Sequence, residues 1–178
     1  MTDRGIIFSA PMVRALLEGR KTMTRRLATS PLRRCVPGDR LWVRETCMKA
    51  ETFWCYRADY SDEVAANMSA MSAKGWRPSI HMPRAASRIT LTVTAVRTEP
   101  LQRIPEVDCL AEGSIPAENP SLGGCVDGGV MVHTDRECVY ATPRAWYREL
   151  WDKLHGPGSW DANPEVVVLT FTVSTNRE

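Results

Sequence analysis

Arg88-Ile89-Thr90-Leu91-Thr92-Val93-Thr94-Ala95-Val96-Arg97 alternates apolar and hydroxyl-bearing residues over the length of a strand. Ile89, Leu91, Val93 and Ala95 would face one side and Thr90, Thr92 and Thr94 the other, the period of two of a sheet with one buried face. Its β-branched residues suit a pleated surface. Glu165–Val173 is apolar at both parities and reads as a central strand covered on both sides. Arg40–Glu45 alternates again, with Leu41 and Val43 inward and Trp42 and Arg44 outward, after the turn signal Pro37-Gly38-Asp39. Phe53–Tyr56 reads as its partner across a short hairpin, and residues 6–9 as a further short strand.

Helix signals fall between these strands. Ser9 can cap a helix with Pro11 in its first turn, apolar residues run from Met12 to Leu17, and Gly19 follows the end. Pro105–Glu112 reads as a short helix stopped by Gly113. Thr142-Pro143 opens another, with Trp146, Leu150, Trp151 and Leu154 as its apolar stripe and Gly156 past its end. Residues 60–75 read as a short helix or a loop, and 114–132 as a long surface loop. With no internal repeat and no linker, the expectation is one α+β domain over 1–178, built around a single barrel or sheet.

The 178 residues suit one domain of the usual ~100–200 residues. The net charge is only +2, but its distribution is uneven. Arg14 to Arg44 holds nine Arg or Lys against Glu18 and Asp39, a local +7 that leaves −5 for the remainder. Such a segment is either an anion-binding face or a solvated surface. The start, MTDRGIIFSAP, has no apolar signal-peptide core, and no apolar run of 18 residues could span a membrane. The six cysteines lack CxxC spacing and read as reduced thiols of a cytoplasmic protein. Cys125, His133 and Cys138 match no standard zinc spacing, so neither a metal nor a cofactor is expected.

Gly19-Arg20-Lys21-Thr22-Met23-Thr24-Arg25-Arg26 concentrates four cations and two hydroxyls directly after a helix end. Guanidinium groups bind phosphate through paired donors, and lysine acts as a point charge. In an extended chain Thr22, Thr24 and Arg26 share one face and Lys21, Met23 and Arg25 the other. Lys21 and Thr24 therefore reach one pocket only if the chain bends between them.

This segment, followed by Pro37-Gly38-Asp39-Arg40-Leu41-Trp42-Val43-Arg44-Glu45 and then the Arg88–Val96 strand and Leu101–Gly113, resembles the ASCH-domain family across nearly the whole chain. Pro78–Arg84, Leu150-Trp151 and Gly156–Asn163 are similar to a phage- or prophage-type branch of it. The resemblance implies a PUA-like β-barrel with flanking helices and a cleft for RNA or a modified nucleoside. The compact amidohydrolase branch, which removes the acetyl group of N4-acetylcytidine, uses a lysine, a threonine and a glutamate. The matching positions here are Lys21, Thr24 and Glu112. In that scheme Lys21 is the base, Thr24 the nucleophile, and Glu112 the acid or substrate anchor. Another branch is linked to ribonuclease activity, so fold alone leaves the reaction open. This chain is longer than the compact branch, with insertions around 46–87 and 114–145, and has Ala85 where phage-type relatives often carry an aromatic.

Arg20, Thr22, Arg25 and Arg26 are the expected phosphate contacts. Trp42 and Arg44, on one polar strand face, and His81 and Arg84 are the expected base or backbone contacts. Three functions compete: hydrolysis of N4-acetylcytidine, a non-catalytic RNA-binding module of phage or prophage origin, and a ribonuclease. The third lacks a tight carboxylate cluster for Mg²⁺.

Overall fold

The computed structural model describes residues 3–71, 75–116, 130–133, 137–140 and 142–175. Its axis is an antiparallel pair, β6 (Ile89–Pro100) and β10 (Glu165–Thr175). Around it lies a five-stranded sheet with β1 (Asp3–Ile7), β2 (Met23–Leu27) and β3 (Arg40–Arg44), in the order β1-β3-β6-β10-β2. The β1–β3 pair is parallel, and the chain between these strands carries the helix α1 (Ala10–Leu17). The sheet is therefore mixed and the class α+β.

Each face of this sheet carries its own core. On one face Val167, Leu169 and Phe171 meet Leu41, Val43, Leu91 and Val93, with Val13 and Leu16 of α1. On the other, Val166 and Val168 pack beneath α3 (Glu106–Ala111) and α4 (Pro143–His155), against Cys109, Trp146, Trp151 and Trp160. This double burial is why β10 is apolar at both parities.

The alternation in β6 holds only as far as Val93. Phe171 pairs with Val93 and Thr170 with Ala95, so Thr94 is an extra residue bulged out of the ladder. The bulge inverts the facing of everything after it. Ala95, expected inward, is exposed, and Val96 packs against the core instead.

Several sequence expectations change in the fold. β1 runs from Asp3 to Ile7 rather than over 6–9. It begins early because Asp3, Arg4 and Gly5 pair with Arg40, Leu41 and Trp42, and at Gly5 a Cβ would sit 3.0 Å from the Trp42 and Arg44 side chains. Ser9 holds the cap position of α1, but its side chain makes no cap hydrogen bond. Both edges of β3 are taken by β1 and β6, so β5 (Trp54–Tyr56) pairs with β4 (Cys47–Lys49) instead. Within 60–75 a helix, α2, forms over Asp62–Met71. The described ends of the expected loop 114–132 form β7 (Ile115–Pro116) and β8 (Val130–His133), joined by β9 (Glu137–Tyr140) in a three-stranded sheet. Leu154 is 59 % exposed and leaves the apolar stripe of α4.

The sequence signal for α4 begins at its cap. The Thr142 hydroxyl accepts from the Ala145 backbone N–H at 3.1 Å, and Pro143 needs no partner for its nitrogen. Thr142→Ala is expected to cost about 1 kcal/mol, read as a fall of roughly 2–4 °C in Tm, with Thr142→Ser restoring it. A Thr142→Ala protein with unchanged Tm would show that the cap contributes nothing.

Candidate functional site

The site begins where α1 ends. Gly19 turns the chain at φ 75°, the Lys21 N–H donates to Ala15 O, and the Thr22 N–H donates to Ala111 O. Phe171 N–H then donates to Thr22 O, which leads the chain into β2. This anchoring supplies the bend between Lys21 and the strand.

From the other side α3 ends at Glu112, and Gly113 (φ 105°) turns away. A Cβ on Gly113 would lie 2.9 Å from Ala15 Cβ and 3.3 Å from Lys21 Cβ. Only glycine lets the two segments approach this closely, and the approach sets Glu112 against Lys21.

Lys21 Nζ donates to Glu112 Oε2 and to its backbone O, both at 2.8 Å. Both residues are buried, at 2 % and 3 % exposure. The second carboxylate oxygen, Oε1, accepts from Arg25 at 3.3 Å and from the Tyr147 hydroxyl at 3.5 Å. Arg25 is itself buried and also donates to Glu99 (2.8 Å) and Asp108 (2.5 Å). Arg97 donates to the same two carboxylates. The three carboxylates offset the cost of burying the Arg25 charge.

Burial pushes the Lys21 pKa below its ordinary value. Glu112 opposes that shift by charge and hydrogen bond, while Arg26 and Arg25 reinforce it. Burial and then the Glu112 charge raise Tyr147 well above the usual phenol range, so its hydroxyl is a neutral donor. Both hydrogen bonds of Lys21 Nζ among the described residues are directed at Glu112.

These groups form the floor of a cavity of about 520 Å³, a ligand-sized space. Phe8, Ser9 and Met12 wall it where β1 passes into α1, and Tyr147, Leu150 and Trp151 of α4 stand opposite. The mouth carries Ile7, Thr46, Ser79, Leu154 and His155. His155 stacks on Trp151 with ring centroids 4.1 Å apart. Incomplete hydration and then the Arg26 charge hold the His155 pKa below its ordinary value.

Lys21, Arg25, Arg26 and Glu112 thus share one cavity. Thr24 is buried with an unbonded hydroxyl, but it is not among the lining residues. Arg20 turns instead to Glu18 and to Gly113 O, and Thr22 is exposed outside the cavity. Trp42, Arg44 and Arg84 form a second cluster: the two guanidinium carbons lie 5.2 and 5.5 Å from the indole ring. Arg84 pairs with Asp3, and Arg44 donates to Ser79 O at the cavity mouth. His81 is exposed and lines nothing in the cavity.

Sequence reasoning missed Phe8, Tyr147, Trp151 and His155 as site residues. The last three recur every fourth residue along α4, a spacing that marks one helix face. The stripe read from the sequence, Trp146, Leu150, Trp151 and Leu154, took in Trp151 as core and left out Tyr147 and His155; Tyr147 and Trp151 are core as well.

Among the described residues no His, Cys, Asp or Glu group is arranged to hold a metal ion. Cys125 lies outside the described residues, as do the side chains of His133 and Cys138. No described helix is long and apolar enough to cross a membrane.

No family model matches this chain, and no curated protein matches it. Among solved structures it is similar to the high-resolution crystal structure of an ASCH domain from Lactobacillus crispatus JV V101, at 14 % identity and a TM-score of 0.44, over 97 % of this chain and 79 % of that one.

Proposed function

We propose that this cavity binds the cytosine end of a modified nucleoside, free or within RNA, and that the protein hydrolyses an exocyclic amide of the N4-acetylcytidine type. The observation that carries this reading is the buried Lys21–Glu112 pair on the floor of a ligand-sized cavity. A lysine with a lowered pKa, hydrogen-bonded to a carboxylate, suits a general base. Glu112 holds that lysine and stands ready to bond the exocyclic nitrogen. Thr24 supplies the nucleophile in this scheme. Its unbonded hydroxyl supports the role, and the role requires β2 to move so that Thr24 reaches the cavity.

The wider reading is a PUA-like, ASCH-type domain over 1–178 with insertions around 46–87 and 114–145. Support for a barrel-like curl comes from Arg26 on β2, whose guanidinium donates to Ile7 O on β1 at 3.0 Å, although β1 and β2 are the two edges of the sheet.

Purified protein is expected to convert N4-acetylcytidine to cytidine and acetate. Activity should fall at least ~100-fold in Lys21→Ala and in Thr24→Ala, the scale of a lost general base. The rate should rise with pH through the lowered Lys21 pKa, because only the neutral amine accepts a proton. Loss in Lys21→Ala with full activity in Thr24→Ala would assign the nucleophile to water. No turnover at all would favour an RNA-binding module. The Trp42–Arg44–Arg84 cluster beside the cavity mouth specifically supports that second reading.

A further inference from the structure

Of the cationic side chains that line the cavity, one has no carboxylate in an ion pair with it among the described residues. Lys21 is paired with Glu112. Arg25 is met by Glu112, Glu99 and Asp108. Arg26 lines the same cavity, yet among the described residues no carboxylate forms an ion pair with it. Its guanidinium donates to two backbone carbonyls, Arg25 O at 3.2 Å and Ile7 O at 3.0 Å, and lies 5.2 Å from the Phe8 ring. Carbonyls and a ring face orient a cation without neutralising it.

The position of Arg26 is equally specific. Its bond to Ile7 places it toward the mouth, since Ile7 is 41 % exposed, whereas Lys21 and Glu112 close the buried end. At the same mouth, loss of hydration and then the Arg26 charge hold the His155 pKa below its ordinary value, which disfavours a second positive charge there. Burial also depresses the Arg26 pKa, with Glu112 and Tyr147 only partly offsetting it. A desolvated cation held in place by neutral groups has unspent capacity for an anion.

We propose that Arg26 is a phosphate subsite, so that the ligand of this cavity is a phosphorylated nucleoside, bound with its base toward Lys21 and Glu112 and its phosphate at the mouth. This rests on the reading of the cavity as a nucleoside site and narrows its substrate class. A bidentate guanidinium–phosphate contact fits the planar fork that Arg26 presents. The shared chemistry, a phosphate ester of a nucleoside, is supplied either by a free nucleotide or by an RNA phosphodiester.

The test is calorimetric titration of wild type, Arg26→Gln and Arg26→Lys with cytidine, cytidine 5′-monophosphate and a short oligocytidylate. Wild type should bind at least one phosphorylated ligand about tenfold or more tighter than cytidine, the margin of a charge-assisted hydrogen bond. Arg26→Gln should lose that margin, its affinities for cytidine and for the phosphorylated ligand converging, and Arg26→Lys should retain part of it. A margin for the monophosphate alone identifies a phosphomonoester source; a margin for the oligonucleotide alone identifies RNA. Equal affinity of wild type for all three, or a margin that survives in Arg26→Gln, would overturn the proposal. Should cytidine and both its esters fail to bind, the nucleoside reading falls separately. Titration with inorganic phosphate then decides the anion site: binding that vanishes in Arg26→Gln upholds it, and no phosphate binding ends it. Should Arg26→Gln fail to fold, the wild-type ratio and Arg26→Lys still decide between these outcomes.

Discussion

Arg25→Met is expected to lower stability by about 3–5 kcal/mol, the scale of removing one partner from a buried ion pair. For a chain of this size that is a fall of roughly 6–20 °C in Tm. The cause is the number of groups left behind. Arg25 is wholly buried and donates to Glu99, Asp108 and Glu112, and Arg97 alone cannot satisfy the first two. Arg25→Lys should recover little, because a point charge cannot span three carboxylates.

The deficit should depend on pH in a defined direction. Burial acts to raise the Glu99 pKa, but hydrogen bonds from Arg97 and Arg25 outweigh it and hold the carboxyl below its ordinary value. A depressed native pKa gives stability that is present above the unfolded value and is lost as pH falls through the native one. Part of that contribution disappears with Arg25. The gap between wild type and variant should therefore narrow below about pH 4, where the unfolded carboxylates protonate. Thermal denaturation of both proteins between neutral pH and the acid range measures it. A variant with wild-type Tm at pH 7 would mean that the Arg25 network does not form.

Gly113→Ala is expected to cost roughly 2–4 kcal/mol and, under the proposed function, to remove most of the N4-acetylcytidine hydrolysis. Two effects add: alanine is strained at φ 105°, and its Cβ would meet Ala15 Cβ at 2.9 Å. The functional loss follows from the same contact. Separating α1 from the end of α3 carries Glu112 away from Lys21 and frees Arg20 from Gly113 O. The double variant Gly113→Ala/Ala15→Gly relieves the contact but not the backbone strain. It should be more stable than the sum of the two single changes implies. Strict additivity would show that the close approach of these two segments has no energetic weight.

The sequence determined the elements whose signals are local. The run read over Arg40–Glu45 forms a strand over Arg40–Arg44, the run read over Arg88–Arg97 keeps its facing as far as Val93, and the two-sided apolar Glu165–Val173 and the cap at Thr142 form as read. They do so because a strand's burial pattern and a helix cap depend on residues within a few positions. Strand β2 was hidden, because its interior holds Arg25, a guanidinium buried by partners distant in sequence, so no apolar alternation marks it. The bulge at Thr94 and the pairing of β5 with β4 were likewise set by neighbours: β10 fixes the first, and occupied edges of β3 fix the second.

The site divides along the same line. Lys21, Arg25 and Arg26 stood out as a local charge cluster, and that much the sequence alone determined. Which of them is neutralised was decided only by tertiary structure. Glu112 and Tyr147 reach the cluster from α3 and the start of α4, 91 and 126 positions beyond Lys21. Charge in a protein interior is governed by what lies within a few ångströms, and chain spacing carries almost no information about that distance.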